Sequence, residues 1–140
     1  MTGKQYLKQA YRLNEIIQSD YREINQLNDI ATNISAGWVD ADRVDSGNHQ
    51  KSKTDECVTK IVDLKMKLVD EVARLTEMKT YIFQTIQKYE NKNEQLVLRL
   101  RYINFLPWEE IKSIMNVEDP YAVHRKATGK FPVPKSSKNQ

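Results

Sequence analysis

Residues 96–127 have the sequence LVLRLRYINFLPWEEIKSIMNVEDPYAVHRKA, and this stretch decides the predicted fold. Its leucine, isoleucine and aromatic residues occupy nearly every side of a first helix, as expected for a helix surrounded by others. Pro107 is tolerated in the first turn of a second helix, which we place at about 107–115. Asn116 favours the left-handed conformation that often ends a helix. The stretch therefore predicts short helices packed into one small unit.

A tight turn and a third helix follow. The turn covers 116–118, Asp119 is a typical N-cap residue, and Pro120 suits the first helical position. Gly129 is placed to end this helix. Two helices joined by such a short turn are typical of a helix-turn-helix, whose second helix usually enters the major groove of DNA. We therefore expect a three-helix helix-turn-helix unit over 93–131, with double-stranded DNA as a partner.

Residues 1–92 predict an all-α antiparallel coiled-coil hairpin. We place its helices at about 3–34 and 54–90, joined by a loop over 35–53 where the apolar periodicity is lost. At 1.5 Å per residue the second helix is roughly 55 Å long, so it needs a partner helix, and the first helix is the nearest candidate. Two helices alone leave both sides of their seam exposed. We therefore expect the hairpin to associate with itself, as a homodimer or a higher oligomer.

Apolar stripes predict the buried face of each long helix. The first stripe has one polar position, Asp20, and consists of Tyr6, Ala10, Leu13, Ile17, Ile24, Leu27, Ala31 and Ile34. The second consists of Val58, Ile61, Leu64, Leu68, Val72, Leu75, Met78, Ile82, Ile86 and Tyr89. Thr2 and Gln5 have the spacing of a capping box, which predicts a helix start near Gly3. Cys57 lies on an apolar face and is expected to pack rather than to react.

Charge is distributed unevenly along the chain. The net charge is +3 and the mean hydropathy is -0.71. The segment 120–140 contains five basic residues and no acid, so it carries +5 and the rest of the chain carries -2. A basic segment beside a small helical unit attracts nucleic acid over long range. For the predicted flexible tail 132–140, a solvated and disordered segment is the alternative interpretation.

Several classes of protein are disfavoured by composition. No apolar run approaches the ~20 residues that span a bilayer, and the N-terminus lacks the apolar core of a signal peptide, so we expect a cytoplasmic protein without membrane association. One cysteine excludes an internal disulfide, and His49 and His124 are too far apart to give zinc-ligand spacing. No phosphate-binding glycine loop and no nucleophile beside a base is found. We expect neither an enzyme nor a cofactor or metal protein.

The C-terminal third resembles a family of phage proteins. The run LRLRYINFLPWEEIKSIM, followed by Tyr121, Val123, His124, Lys126 and Ala127, is similar to the C-terminal part of the ArpU and RinA-like late-gene regulators of phages and prophages. Their C-terminal ends look like the promoter-binding domain of bacterial sigma factors. The segments KQYLKQAYRLNEII and TKIVDLKMKLVDEVARLTEMKTYI are also similar to that family. The resemblance implies a DNA-binding transcriptional regulator, similar to late-gene activators, in a bacterial host cell.

The resemblance also implies a set of DNA-binding residues. Two arginines on the first short helix would approach backbone phosphates, and four residues of the third would face DNA. A solvated face is the alternative for the two arginines. Apart from the resemblance, the basic stretch 130–138 would follow the DNA backbone, which adds Lys130 to the set. The predicted set is Arg99, Arg101, Tyr121, His124, Arg125, Lys126 and Lys130.

The start of the predicted recognition helix departs from the family. In the related proteins Ser or Thr, Arg and His precede the tyrosine, whereas this chain has Val117, Glu118, Asp119 and Pro120. Carboxylates repel phosphate oxygens, so DNA affinity should fall. The alternative is therefore a protein-interaction or assembly module with DNA binding lost or weakened. Such a module would dock on RNA polymerase or on another phage or host protein, or serve as a small terminase-like subunit.

Overall fold

The computed structural model describes residues 1–37 and 43–135, and the side chains of 34–37 and 43–52 lie outside that description. The described residues form helices and no strands, which confirms the all-α prediction. In chain order the five helices are α1 (Gly3–Gly37), α2 (Arg43–Ile86), α3 (Lys92–Tyr102), α4 (Trp108–Met115) and α5 (Pro120–Gly129).

The start of α1 is fixed by the predicted capping box. The Thr2 N–H donates to Gln5 Oε1 at 2.8 Å, and the Gln5 N–H donates to Thr2 Oγ1 at 3.2 Å. These bonds satisfy two backbone donors that have no partner inside the helix. Gly3 is required for a different reason, because a Cβ at this position would overlap the backbone carbonyl of Phe131.

The predicted loop over 35–53 is wrong at both of its ends. Residues 35–37 continue α1 and residues 43–53 belong to α2, while 38–42 lie outside the described residues. The polar and glycine residues that predicted a loop lower helix propensity by about 1 kcal/mol or less each, which does not break a long helix. Adding a residue to an existing helix is much easier than nucleating one. Loss of apolar periodicity was therefore a poor guide to the helix ends.

The end of α2 also differs from the prediction. The helix ends at Ile86 instead of near residue 90. The Lys88 N–H donates to Thr85 O and the Tyr89 N–H donates to Ile86 O, both at 3.0 Å. These three-residue hydrogen bonds tighten the chain after the helix and satisfy carbonyls that would otherwise lack partners.

The chain divides into two compact units, which differ from the predicted segments 1–92 and 93–131. Unit 1 combines Met1–Glu15 with Ala73–Gln140, and unit 2 is Ile16–Val72. The largest fully buried side chains all belong to unit 1, and they are Leu7, Ile82, Val97, Leu98, Ile111, Pro120 and Thr128. In unit 1, α3 contacts both α4 and α5, and α4 contacts α5.

The segment after α5 packs against α2 through Phe131. Its ring is buried and meets the Tyr81 ring edge-on, with centroids 6.1 Å apart. The Tyr81 hydroxyl donates to Pro132 O at 2.9 Å. The predicted flexible tail 132–140 is therefore tethered at its first residue, and its last five residues, 136–140, lie outside the described ones.

Unit 2 buries one face of each long helix. The buried apolar residues are Ile17, Ile24, Cys57, Ile61 and Leu68. Cys57 packs as predicted, but Val58 of the predicted stripe is exposed. Adjacent helical positions differ by about 100° around the axis, so both residues cannot face the same partner. Val72 of the same predicted stripe is also exposed.

A buried aspartate and a half-buried glutamate interrupt the apolar face of unit 2. Asp20 is buried, and Lys67 Nζ lies 3.8 Å from its carboxylate and 3.9 Å from that of Glu71. Burial raises the pKa of Glu71, and a hydrogen bond and charge repulsion from Asp20 raise it further, while Lys67 opposes the shift. Asp20 Oδ2 and Glu71 Oε1 are buried and lack another partner, so a proton held between the two carboxyl groups would satisfy both.

Candidate nucleic-acid interface

The two helices α4 and α5 are bounded by the residues that the sequence indicates. Asn116 follows α4 in the left-handed conformation, with φ 51°. The Asp119 carboxylate accepts hydrogen bonds from the N–H groups of Tyr121 and Ala122, at 3.1 and 3.2 Å. Pro120 occupies the first turn of α5, which ends at Gly129. Asp119 thus caps its own helix, and both Asp119 and the neighbouring Glu118 are exposed.

Three of the predicted DNA-binding residues are exposed on α5. Tyr121, Arg125 and Lys126 lie on the surface, whereas Ala127 and Thr128 are buried. Tyr121 and Arg125 are four residues apart, so they lie on the same side of the helix. The sequence therefore correctly predicted an exposed tyrosine and two exposed basic residues on one short helix.

Tyr121 is held in place by α4. Its ring lies 4.7 Å from the Trp108 ring, centroid to centroid, and Lys112 Nζ lies 5.5 Å from the Tyr121 centroid. The aromatic contact fixes the first turn of α5 against the first turn of α4. Lys112 adds a cation to the same surface, and the sequence analysis did not select it.

His124 points toward α3 and α4. Its Nε2 lies 2.6 Å from the Tyr102 hydroxyl, and its ring stacks on that of Tyr102 and meets the Trp108 ring edge-on. Burial lowers the pKa of His124 to about 4, and the positive charges of Arg101, Lys4, Arg125 and Lys8 lower it further. The imidazole is therefore neutral at pH 7 and fastens α5 to α3. Its Nε2 is already engaged within the protein.

Arg101 is enclosed by aromatic rings. Its guanidinium lies 4.2 Å from the Tyr11 centroid and 5.0 Å from the Trp108 centroid. Nη1 donates to Leu106 O at 2.9 Å, which satisfies a carbonyl in the connection between α3 and α4. Such a cation is positioned by its neighbours and keeps its charge close to α5.

Arg99 lies apart from this group. It is two residues from Arg101, about 200° around the α3 axis. Its guanidinium lies 5.5 Å from the Phe83 ring on α2, and it lines a cavity of about 330 Å³ together with Gln87 and Lys92. The structure does not place Arg99 beside the exposed face of α5.

Lys130 is already paired with an acid. Its Nζ lies 2.6 Å from Oε1 of the buried Glu94, and 5.3 Å from the Tyr89 ring. The Tyr89 hydroxyl donates to Ala127 O at 2.7 Å, and burial, followed by the charge of Glu94, raises the pKa of Tyr89 to about 12. Lys130 therefore anchors the end of α5, and Glu94 offsets its charge.

Three basic residues on α1 also face solvent near this site and were not among the predicted DNA-binding residues. Lys4, Lys8 and Arg12 are exposed and recur every four residues. Lys8 and Arg12 line a cavity of about 300 Å³ that Arg101 and His124 also line. Their spacing was the available signal, because a charged residue at every fourth position marks one exposed face of a helix.

Other classes of site receive no support from the residues that the structure describes. Across the side chains described, those of 1–33 and 53–135, no three His, Cys, Asp or Glu residues are grouped so that they could hold a metal ion. None of the described helices is long and apolar enough to cross a membrane. Comparisons with protein-family models, with curated proteins and with solved structures gave no significant match.

Proposed function

We propose that this protein is a phage-type DNA-binding transcriptional regulator, similar to late-gene activators, acting in the cytoplasm of a bacterial host. In this proposal α4 and α5 form a helix-turn-helix, and α5 is the recognition helix. The observation that carries it is the exposed face of α5, which presents Tyr121, Arg125 and Lys126 from a helix capped by Asp119. The resemblance to the ArpU and RinA-like regulators supports it.

The chemistry of this face suits a duplex. Arg125 and Lys126 are exposed and have no ion-pair partner among the described residues, so their charges are available to phosphates or to a guanine edge. The Tyr121 hydroxyl is a donor for a phosphate oxygen. The Asp119 carboxylate lies at the positive end of the α5 dipole and accepts two hydrogen bonds there, which offsets part of its repulsion of phosphates.

A binding titration tests the proposal. We expect the full chain to retard a duplex that contains a phage late promoter, with affinity that falls steeply between 50 and 200 mM salt. Arg125→Ala and Lys126→Ala should each weaken binding several-fold and flatten the salt dependence by about one phosphate contact. Lys60→Ala, which removes an exposed charge from unit 2, is the matched control. Absence of binding to any duplex at low salt would overturn the proposal.

A protein-docking or assembly role is the second candidate. Ile114 on α4 is 52% exposed and Tyr121 is 40% exposed, and the exposed Glu118 follows α4. An apolar and aromatic surface with a neighbouring acid suits a protein partner such as RNA polymerase better than a phosphate backbone. Copurification of a partner that is lost in Ile114→Asp, without DNA binding, would favour this role. A ring-shaped oligomer would favour a small terminase-like subunit.

We also propose that unit 2 is the site of homodimer formation. Val58, Val62, Met66 and Val69 are between 48% and 68% exposed and fall within about a third of the circumference of α2. This second apolar stripe is distinct from the buried one that contains Ile61 and the other core residues of unit 2. A second copy of the chain is the proposed occupant. A two-fold interface between two copies of this stripe is self-complementary by construction.

A further inference from the structure

The first three turns of α1 carry a basic stripe, defined here as Lys4, Lys8 and Arg12. All three side chains are exposed, whereas Leu7 and Ala10 between them are fully buried against unit 1. Each step of four residues advances about 6 Å along the helix, so the stripe extends over about 12 Å. The buried residues hold this part of α1 rigidly, and the basic side chains project away from the core.

The basic stripe lies beside α5. Lys8 and Arg12 line the 300 Å³ cavity whose other walls include Trp108 of α4 and His124 of α5. The positive charges of Lys4 and Lys8 lower the pKa of His124, as those of Arg101 and Arg125 do. Positive charges from α1, α3 and α5 therefore surround one imidazole, which places the stripe next to the proposed recognition helix.

These charges are poorly compensated within the protein. Among the described residues, no carboxylate lies within ion-pair distance of Lys4, Lys8, Arg12 or Arg125, and Glu15 is the one acid that lines the shared cavity. Lys130 differs, because the buried Glu94 neutralises it. Uncompensated like charges held close together on a rigid surface repel one another and attract a polyanion.

We propose that the basic stripe of α1 binds the phosphate backbone of double-stranded DNA beside the segment contacted by α5. The inference rests on the proposed DNA-binding function and extends its interface to the opposite end of the sequence. A polymer fits better than a small anion, because the three charges are spread along 12 Å of exposed helix instead of converging on one point. DNA offers a phosphate about every 3.4 Å along each strand.

The role of the stripe differs from that of α5. Phosphate contacts fix the position and orientation of a protein on the duplex and carry no direct sequence information. The stripe should therefore raise affinity for every duplex by a similar factor. Arg125 and Lys126 can reach a guanine edge as well as phosphates, so their removal should in addition change discrimination between sequences.

The test compares two triple variants with the same change in net charge. The stripe variant is Lys4→Gln/Lys8→Gln/Arg12→Gln, and the control, in exposed positions of unit 2, is Arg22→Gln/Lys53→Gln/Lys60→Gln. Binding of a 30-base-pair duplex, with and without a late-promoter sequence, is measured by fluorescence anisotropy from 50 to 200 mM salt. A charge-preserving variant, Lys4→Arg/Lys8→Arg, is a further control. Thermal melting of every variant shows whether it is folded.

We expect the stripe variant to lose at least tenfold in affinity at 50 mM salt for both duplexes, and its log-log salt slope to fall by about 2 to 3. The control variant should lose much less, and the Lys-to-Arg variant should bind like the parent. Equal losses in the two triple variants would overturn the inference while leaving DNA binding intact. If the stripe variant loses affinity and Arg125→Ala does not, the stripe binds DNA and α5 is not the recognition helix. A parent chain that binds no duplex refutes both.

Discussion

Units 1 and 2 are built from the same two long helices but differ in how completely they bury them. In unit 1 the Leu7 and Ile82 side chains are fully buried, and this unit also contains α3, α4 and α5. Among the side chains described in unit 2, the best-buried apolar one, Ile17, retains 4% exposure, and Val69 is 68% exposed. Helix pairs cannot enclose a core unaided, whereas five helical segments can. A second copy of the chain would cover the apolar side chains that unit 2 leaves exposed.

The largest expected difference between the units is in the cost of a core truncation. Ile82→Ala in unit 1 should lower the free energy of unfolding by about 3–5 kcal/mol, because the surrounding helices cannot close around the lost atoms. Ile61→Ala, the same change on the same helix in unit 2, should cost about 2 kcal/mol. Urea unfolding at one fixed protein concentration measures both. Equal losses would show that the two units are packed equally well.

The proposed dimer gives the next largest effect. Val62→Glu places a charge in the exposed apolar stripe of unit 2 and should weaken self-association at least tenfold, measured by analytical ultracentrifugation. Ile114→Glu changes a similarly exposed apolar residue in unit 1 and should leave the dimer intact. A parent chain that remains monomeric at high concentration would show that unit 2 does not use this surface for a second copy.

The smallest expected effect is a pH dependence of opposite sign in the two units. The pKa of His124 is about 4 in the folded chain against an ordinary 6.5, so the unfolded chain binds the proton first as the pH falls. The contribution of His124 to the free energy of unfolding should therefore be fully present above pH 6.5. It should decline toward pH 4, by about 1 kcal/mol after allowance for partial exposure. Glu71 has a raised pKa, so its contribution to unit 2 should decline as the pH rises instead.

Two neutral variants separate these contributions. His124→Gln retains a hydrogen-bonding group for Tyr102 and should remove the acid-side decline when unfolding is measured at pH 7 and pH 4.5. Glu71→Gln should stabilise the chain most at pH 7, where it removes repulsion with Asp20, and least under acid conditions. The same pH response in both variants would mean that neither group acts as inferred.

The helix ends that the sequence predicted correctly are marked by local signals. Thr2 and Gln5 form the predicted capping box, Asp119 caps α5, and Asn116 takes the left-handed conformation after α4. Each of these residues acts on backbone atoms within three positions of itself, so spacing alone identifies it. The end of α2 near residue 86 depends instead on how the following turn packs, which no local signal records.

The candidate site was predicted less completely, for a physical reason. Tyr121, Arg125 and Lys126 are exposed as expected, but His124 and Arg101 turn toward aromatic rings that are distant in the sequence. Residue type determines whether a side chain can bind phosphate, but tertiary packing determines which way that side chain faces. Lys4, Lys8 and Arg12 were missed because their proximity to α5 arises from the fold.

The close approach of Gly3 to the Phe131 carbonyl has a consequence for synthesis. Both residues belong to unit 1, yet 127 positions separate them, so the first turn of α1 cannot complete its packing until Phe131 has left the ribosome. Unit 2 is continuous in sequence and can pair its helices earlier. The contact between Gly3 and Phe131 is thus among the last in unit 1 to form.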